Sequence, residues 1–319
     1  MGKFSIRIFA ALIFLGQILI AEAHPGIGMV YDGKDTIYYT DLEHIWKYDI
    51  STGIKSIVIP NVHSHELYLD SAGSLYGEHY FYVQEEQKFN NYIWKYSKEG
   101  AFSIIRPEKD GENTDFSFIR DKHFNAIQFN TKDGITEIRK VFTDSSRLIH
   151  RQAFKDLRWK SFNRNNELLF IDLYSLYKID HTEQIQLLVE DLSSMKFPFS
   201  FNDEKHNVYG AWSDSNDNTY VAIYGGRIIK RIDKDKEIST IYKSSFFWSP
   251  LNGLFDKENQ LWVMEGSLWG DVRIRKVEQA NELKSNGLPI WVLFTFLLIV
   301  FLLMLRKKRK TALSDAGIY

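Results

Sequence analysis

The chain has 319 residues, with 40 Lys and Arg against 41 Asp and Glu, 9 His and no Cys. A net charge of −1, with basic residues concentrated only near the C-terminal end, excludes a nucleic-acid binder. The absence of Cys excludes a disulfide scaffold, thiolate metal sites and thiol catalysis, so the fold must rest on a core of its own.

Met1 to Arg7 carries two cations, Ile8 to Ala21 is apolar apart from Gly16 and Gln17, and Ala21-Glu22-Ala23 supplies small residues around a cleavage point. Those three parts predict a secretory signal peptide over residues 1–23. The apolar run is shorter than the roughly 18 to 20 residues a membrane span needs.

An internal repeat follows. Residues 27 to 59 read as an apolar strand ending at Asp32, a turn over Gly33-Lys34-Asp35, strands over 37–41 and 45–49, a turn at Gly53 and a strand over 56–59. The same order returns from Glu66: an apolar stretch to Asp70, a turn at Gly73, strand 75–79, an insertion, strand 92–96, a turn at Gly100 and strand 102–105. The words Ile45-Trp-Lys-Tyr-Asp49 and Tyr92-Ile-Trp-Lys-Tyr96 are nearly identical. Weaker copies occupy residues 115–150, 153–190, 206–243 and 250–277, each rich in β-branched and aromatic residues and punctuated by Gly, Asp and Asn. Six units at a spacing near 40 predict an all-β fold, a six-bladed β-propeller over residues 24–283, whose radial repetition buries sheet faces against neighbouring blades. Neither terminus supplies an evident strand to complete the last blade.

Leu288 to Leu305 carries no charge, and at 1.5 Å per residue it reaches about 27 Å, enough to cross a bilayer core as one transmembrane helix. Arg306-Lys-Lys-Arg-Lys310 follows at once, which places the tail 306–319 in the cytoplasm and the propeller outside. With no Asn-x-Ser/Thr acceptor in the mature part, the expected location is a bacterial inner membrane, single-pass, with the propeller facing the periplasm.

Pro250-Leu-Asn-Gly-Leu-Phe-Asp256, Gln260-Leu-Trp-Val-Met-Glu265 and Val272-Arg-Ile-Arg-Lys-Val277 together resemble the NHL-type repeat: a Pro-x-Gly strand, an Asp turn, an apolar strand ending in an acid, and an Arg-Ile-x-Lys strand. The resemblance extends over residues 24 to 278. Among enzymes it is nearest to the senescence-marker and gluconolactonase group of six-bladed propellers. That resemblance implies one divalent metal ion in the central channel, held by Glu, Asn and Asp. Where that group opens its first blade with Glu-Gly-Pro, this chain reads His24-Pro25-Gly26.

Loops entering each first strand and leaving each second strand of a propeller open on one face. Aligning the repeats on Asp32, Asp70, Asn163 and Asp256 places Asp41, His79, Asp172 and Glu265 at one register, the end of the second strand. The first-strand register adds Glu66 and Asn252, with His63 and His65 just before Glu66, and His206 entering the fifth repeat. Glu66, His79, Asn252 and Glu265 are the expected metal ligands, with Glu66 and Glu78 as candidate catalytic acids or bases. His63, His65, His206 and Trp248 are the expected ligand-binding residues. Acids at the end of a second strand also serve structure by accepting hydrogen bonds from turn backbone, the reading favoured for Asp41 and Asp172. No Gly-x-Ser-x-Gly, Walker or zincin motif occurs. The sequence therefore points to a membrane-anchored propeller that binds a small molecule or partner protein at its channel mouth, with a metal-dependent hydrolase or lactonase as the alternative.

Overall fold

The computed structural model describes residues 27–110, 118–193, 207–267 and 269–278, all within the compact unit Met1–Asn281. The second unit, Glu282–Tyr319, lies outside the described residues, as do the expected signal peptide, the apolar run 288–305 and the basic tail. Among the described residues no helix is long and apolar enough to cross a membrane.

The described residues form six antiparallel sheets in chain order. The first holds β1 (Met29–Tyr31), β2 (Thr36–Thr40), β3 (His44–Asp49) and β4 (Lys55–Pro60). The second holds β5 (Leu67–Leu69), β6 (Leu75–Val83), β7 (Lys88–Tyr96) and β8 (Phe102–Asp110). The third holds β9 (Ala126–Lys132), β10 (Ile135–Val141) and β11 (Ser146–Gln152), with Arg120 bridging to Ala126 in the place of a first strand. The fourth holds β12 (Leu157–Phe162), β13 (Leu168–Asp172), β14 (Ser175–Ile179) and β15 (Ile185–Val189). The fifth holds β16 (Val208–Ser213), β17 (Thr219–Ile223), β18 (Ile228–Ile232) and β19 (Ile238–Lys243). The sixth holds β20 (Trp248–Phe255), β21 (Leu261–Ser267) and β22 (Val272–Lys276). This is the six-bladed propeller that the repeat predicts.

First strands of successive blades pack on one another, β12 on β16, β16 on β20, β20 on β1 and β1 on β5, so they ring the axis. Second strands are sandwiched on both faces by neighbouring blades, and β13, β17 and β21 are buried along their whole length. That double burial is why they read as continuous apolar runs rather than alternating ones. Fourth strands such as β4 and β19 lie at the rim with mostly exposed or half-exposed side chains. Two glycines set the spacing of tryptophans: Gly77 seats the Trp94 indole, and a Cβ on Gly253 would lie 2.5 Å from the Trp212 ring.

Each blade turns from its first to its second strand around one side chain. Asp32 accepts the N–H groups of Lys34 and Thr36, Asp70 that of Ser74, and Asp121 those of His123 and Asn125. Asn163 accepts from Asn165 and Glu167, Asp214 from Asn216 and Asn218, and Asp256 from Glu258 and Gln260. These Asx turns satisfy backbone donors that the hairpin leaves open. Neighbouring turns then join: Lys122 N–H to Asn166, Asn165 to Asp217, Ser215 to Asn259 and Lys257 to Asp35. The last of these links blade 6 to blade 1. Asn252 adds a second link by donating to the Ile27 carbonyl at 2.8 Å, and Trp262 packs on Tyr48 as a third.

Two local expectations change. The insertion of the second repeat is regular: β6 and β7 run nine residues each as one long hairpin, in unbroken register from Leu75 with Tyr96 to Val83 with Lys88. β11 and β12 have no counterpart in the sequence reading. β11 is a largely polar strand on the outer side of its sheet, and in β12 the charged Arg158 and Lys160 interrupt the apolar pattern although Lys160 is buried. The sixth sheet has three strands among the described residues.

Candidate functional site

The first strands enclose an axial channel of about 520 Å³, with walls drawn from all six blades. It runs from Ile27, Glu66, Phe118 and Asn252 at one end to Tyr31, Ser71, Lys122 and Arg164, in or beside the first turns, at the other. The lining is largely apolar and aromatic, with Tyr68, Trp159, Phe162 and Trp212 on the wall. A small number of polar groups converge on it, the usual make-up of a small-molecule site.

Of the residues expected from sequence, Glu66 and Asn252 line this channel. Both are 9% exposed. Asn252 is also structural: its amide donates to Ile27 O, and its own oxygen accepts Gly253 N–H at 2.8 Å.

His63, His65, Glu78 and His79 gather instead at the mouth side of blade 2, behind the channel wall. The His63 N–H donates to His79 Nδ1 at 2.8 Å, which leaves that ring neutral with its proton on Nε2. Burial lowers the His79 pKa, and the neighbouring His63 lowers it further. Burial likewise lowers that of His63. The His63 and His65 rings meet edge to face with centroids 4.9 Å apart, and His65 meets Tyr80 at 5.8 Å. Glu78 is buried; Tyr80 donates to its Oε2 at 2.7 Å and Arg106 to its Oε1 at 3.0 Å. Arg106 also bonds buried Asn91 at 2.6 Å.

Trp248 and Glu265 meet on blade 6. Arg273 Nε donates to Glu265 Oε2 at 2.7 Å while its guanidinium lies 3.8 Å from the Trp248 ring centroid. The Tyr242 hydroxyl takes the other oxygen of Glu265 at 2.8 Å. Burial, reinforced by that carboxylate, raises the Tyr242 pKa, so it remains a neutral donor. Glu265 is fully enclosed and spent on these partners.

The four expected metal ligands are thus divided between the channel, the back of blade 2 and the core of blade 6. Among the described residues no three His, Asp or Glu converge as a metal site. His206 lies outside the described residues. Asp41 and Asp172 act structurally: Asp41 accepts the N–H groups of Glu43 and His44 and the Trp46 indole, and Asp172 accepts Asp156 N–H. The mouth-side aromatics fall on two blades with blade 1 between them. Tyr80 is buried and Tyr82 exposed on blade 2, while exposed Phe246 and Phe247 pack with Trp269 beside blade 6.

Arg120, Lys122, Trp159 and Arg164 are among the wall residues that the sequence reading missed. Arg120 is partly buried, its guanidinium 4.3 Å from the Phe118 ring centroid. Burial lowers its pKa, opposed by the nearby carboxylates Glu78 and Glu66. The missed signal is Asp121: with that residue recognised as the turn aspartate of blade 3, Arg120 and Lys122 fall in register with Leu69 and Ser71 of blade 2.

No protein-family model matches this chain, and no curated protein matches it in sequence. Solved structures do match in shape. A protein of unknown function from Bacteroides thetaiotaomicron superposes with a TM-score of 0.54 at 15% identity, over 81% of this chain and 70% of that one. An auxiliary nutrient binding protein from Bacteroides thetaiotaomicron gives 0.52 at 11% identity, over 81% and 69% of the two chains. Its counterpart from Bacteroides ovatus gives 0.51 at 10%, over 79% and 70%. At such identities the likeness is one of fold.

Proposed function

We propose that this chain is a ligand-binding β-propeller whose ligand occupies the axial channel, and that residues 288–305 tether it to a bacterial inner membrane with the propeller in the periplasm. The observation that carries the binding reading is the channel itself. All six blades contribute wall residues to one cavity of about 520 Å³, within the roughly 300 to 1,000 Å³ of small-molecule sites. The auxiliary nutrient binding proteins of similar fold are compatible with it. The tether and the location rest on the sequence: a signal-like start, an uncharged run and five cations directly after it.

Ser71 sits exposed at the turn-side rim of the channel, so Ser71→Trp narrows the entrance without disturbing the core. Small molecules that raise the melting temperature of the detergent-solubilised full chain should lose that effect in the variant. A compound that stabilises both proteins equally binds elsewhere and refutes the channel as the site. Protease protection in spheroplasts tests the topology, since a propeller shielded from external protease would contradict a periplasmic location.

A further inference from the structure

The charges on the channel wall are uneven. Arg120, Lys122, Lys160 and Arg164 stand against Glu66 alone. Arg120 lies within the influence of Glu78 and Glu66, and Lys160 is turned to the Phe129 ring, 4.5 Å from its centroid. The surplus therefore falls at the turn-side rim, on Lys122 and Arg164. Both are exposed, and neither is in an ion pair among the described residues.

Their turns are adjacent and tied together, since Lys122 N–H donates to Asn166 at 2.8 Å. Of the neighbouring acids, Asp217 in the next turn accepts the Asn165 amide at 2.5 Å, and the two within the turns of Lys122 and Arg164 are already paired with lysines. Asp121 receives Lys140 at 2.6 Å and both nitrogens of Asn125, and Glu167 receives Lys178 at 2.9 Å and Asn163 at 2.7 Å. Inward of this rim the wall is aromatic, with Phe162, Tyr68 and Trp159. A cationic rim leading into an apolar passage attracts negative charge and then buries an apolar body.

We propose that the channel takes an amphipathic anion, with its charged head between Lys122 and Arg164 and its apolar body inside. This rests on the channel being the ligand site, and the test separates the two statements. Naphthalene-2-sulfonate and its uncharged isostere naphthalene-2-sulfonamide are titrated calorimetrically into the full chain in nanodiscs, with empty nanodiscs as reference. The sulfonate should bind at least about tenfold more tightly, and about tenfold more weakly in 0.5 M salt or in the Lys122→Ser/Arg164→Ser double variant, while the sulfonamide changes little. Ser71→Trp should abolish both. Equal affinity for the two probes, unchanged by the double variant but lost in Ser71→Trp, overturns the anion proposal and leaves the channel as the site. Binding that survives Ser71→Trp, or binding of neither probe, overturns both. Lys122 and Arg164 are exposed, so their replacement spares the fold, and an unchanged melting temperature of the double variant verifies this.

Discussion

Each hairpin turn of the propeller is shaped by local bonds and only then joined to its neighbours across blades, whereas the clusters around Glu78, Glu265 and Asn252 on the mouth face are built by long-range ones. On the turn face Asp214 takes Asn216, Asn218 and Tyr220, none more than six residues away, and each of the other five turns repeats the device. On the mouth face Glu78 is held by Arg106 from 28 residues away, Glu265 by Tyr242 from 23, and Asn252 reaches Ile27 from 225. A local bond needs only the correct residue at the correct offset, whereas a long-range one needs the neighbouring strand or blade already in place. The turn face is therefore uniform, and each mouth-side cluster is particular to its blade.

This contrast can be broken from either side. The largest effect belongs to Glu265→Gln, which removes the buried charge partner of the partly exposed Arg273. We expect a loss of about 3 kcal/mol in urea unfolding of the solubilised full chain. A loss no greater than that of an exposed pair would show that this cluster does not hold the mouth face.

Asp214→Ala should cost less, about 1 to 2 kcal/mol, because it frees two backbone N–H groups within a single hairpin. Burial pushes the Asp214 pKa upward, but bonds from Asn218, Tyr220 and the Asn216 backbone outweigh it and hold the carboxyl below its ordinary value. Its contribution is thus complete above about pH 4 and lost as pH falls through the folded value. Asp214→Asn should remain folded and lose that share of the acid sensitivity, which melting curves between pH 5 and 2 would reveal.

His79 gives a smaller effect in a different window. Because its pKa is lowered in the fold, stability is full above about pH 6.5 and declines as the pH falls toward the folded value. His79→Gln keeps an acceptor for the His63 N–H and should flatten the decline in melting temperature between pH 7 and 5. An unchanged slope would place the sensitivity elsewhere. Smallest of all is the response to chelation: EDTA should leave the melting temperature of the full chain unmoved. A stoichiometric divalent ion, lost on Glu66→Gln, would favour the hydrolase reading over simple ligand binding.

The legible parts of the molecule follow the same division. Second strands such as Leu168–Asp172 and Thr219–Ile223 stand out because burial on both faces makes them continuously apolar. Ser146–Gln152 escapes detection because a strand packed against little else needs no apolar pattern. At the site, Glu66 and Asn252 were found from first-strand register, while Glu265 and Glu78 matched it chemically and were already committed to Arg273 and Arg106. Nothing in a residue's own neighbourhood reveals a partner that arrives from another strand.

By itself the sequence determined the number of blades and the end of the channel at which each first strand begins, since both follow from periodic burial and from turn chemistry confined to a few residues. Beyond Glu66 and Asn252, tertiary structure decided which polar side chains face the channel and which are consumed behind it. Arg120, Lys122 and Arg164 became wall residues, and His63, His65 and His79 did not, because the closing of the ring decides which segments of each blade meet the axis.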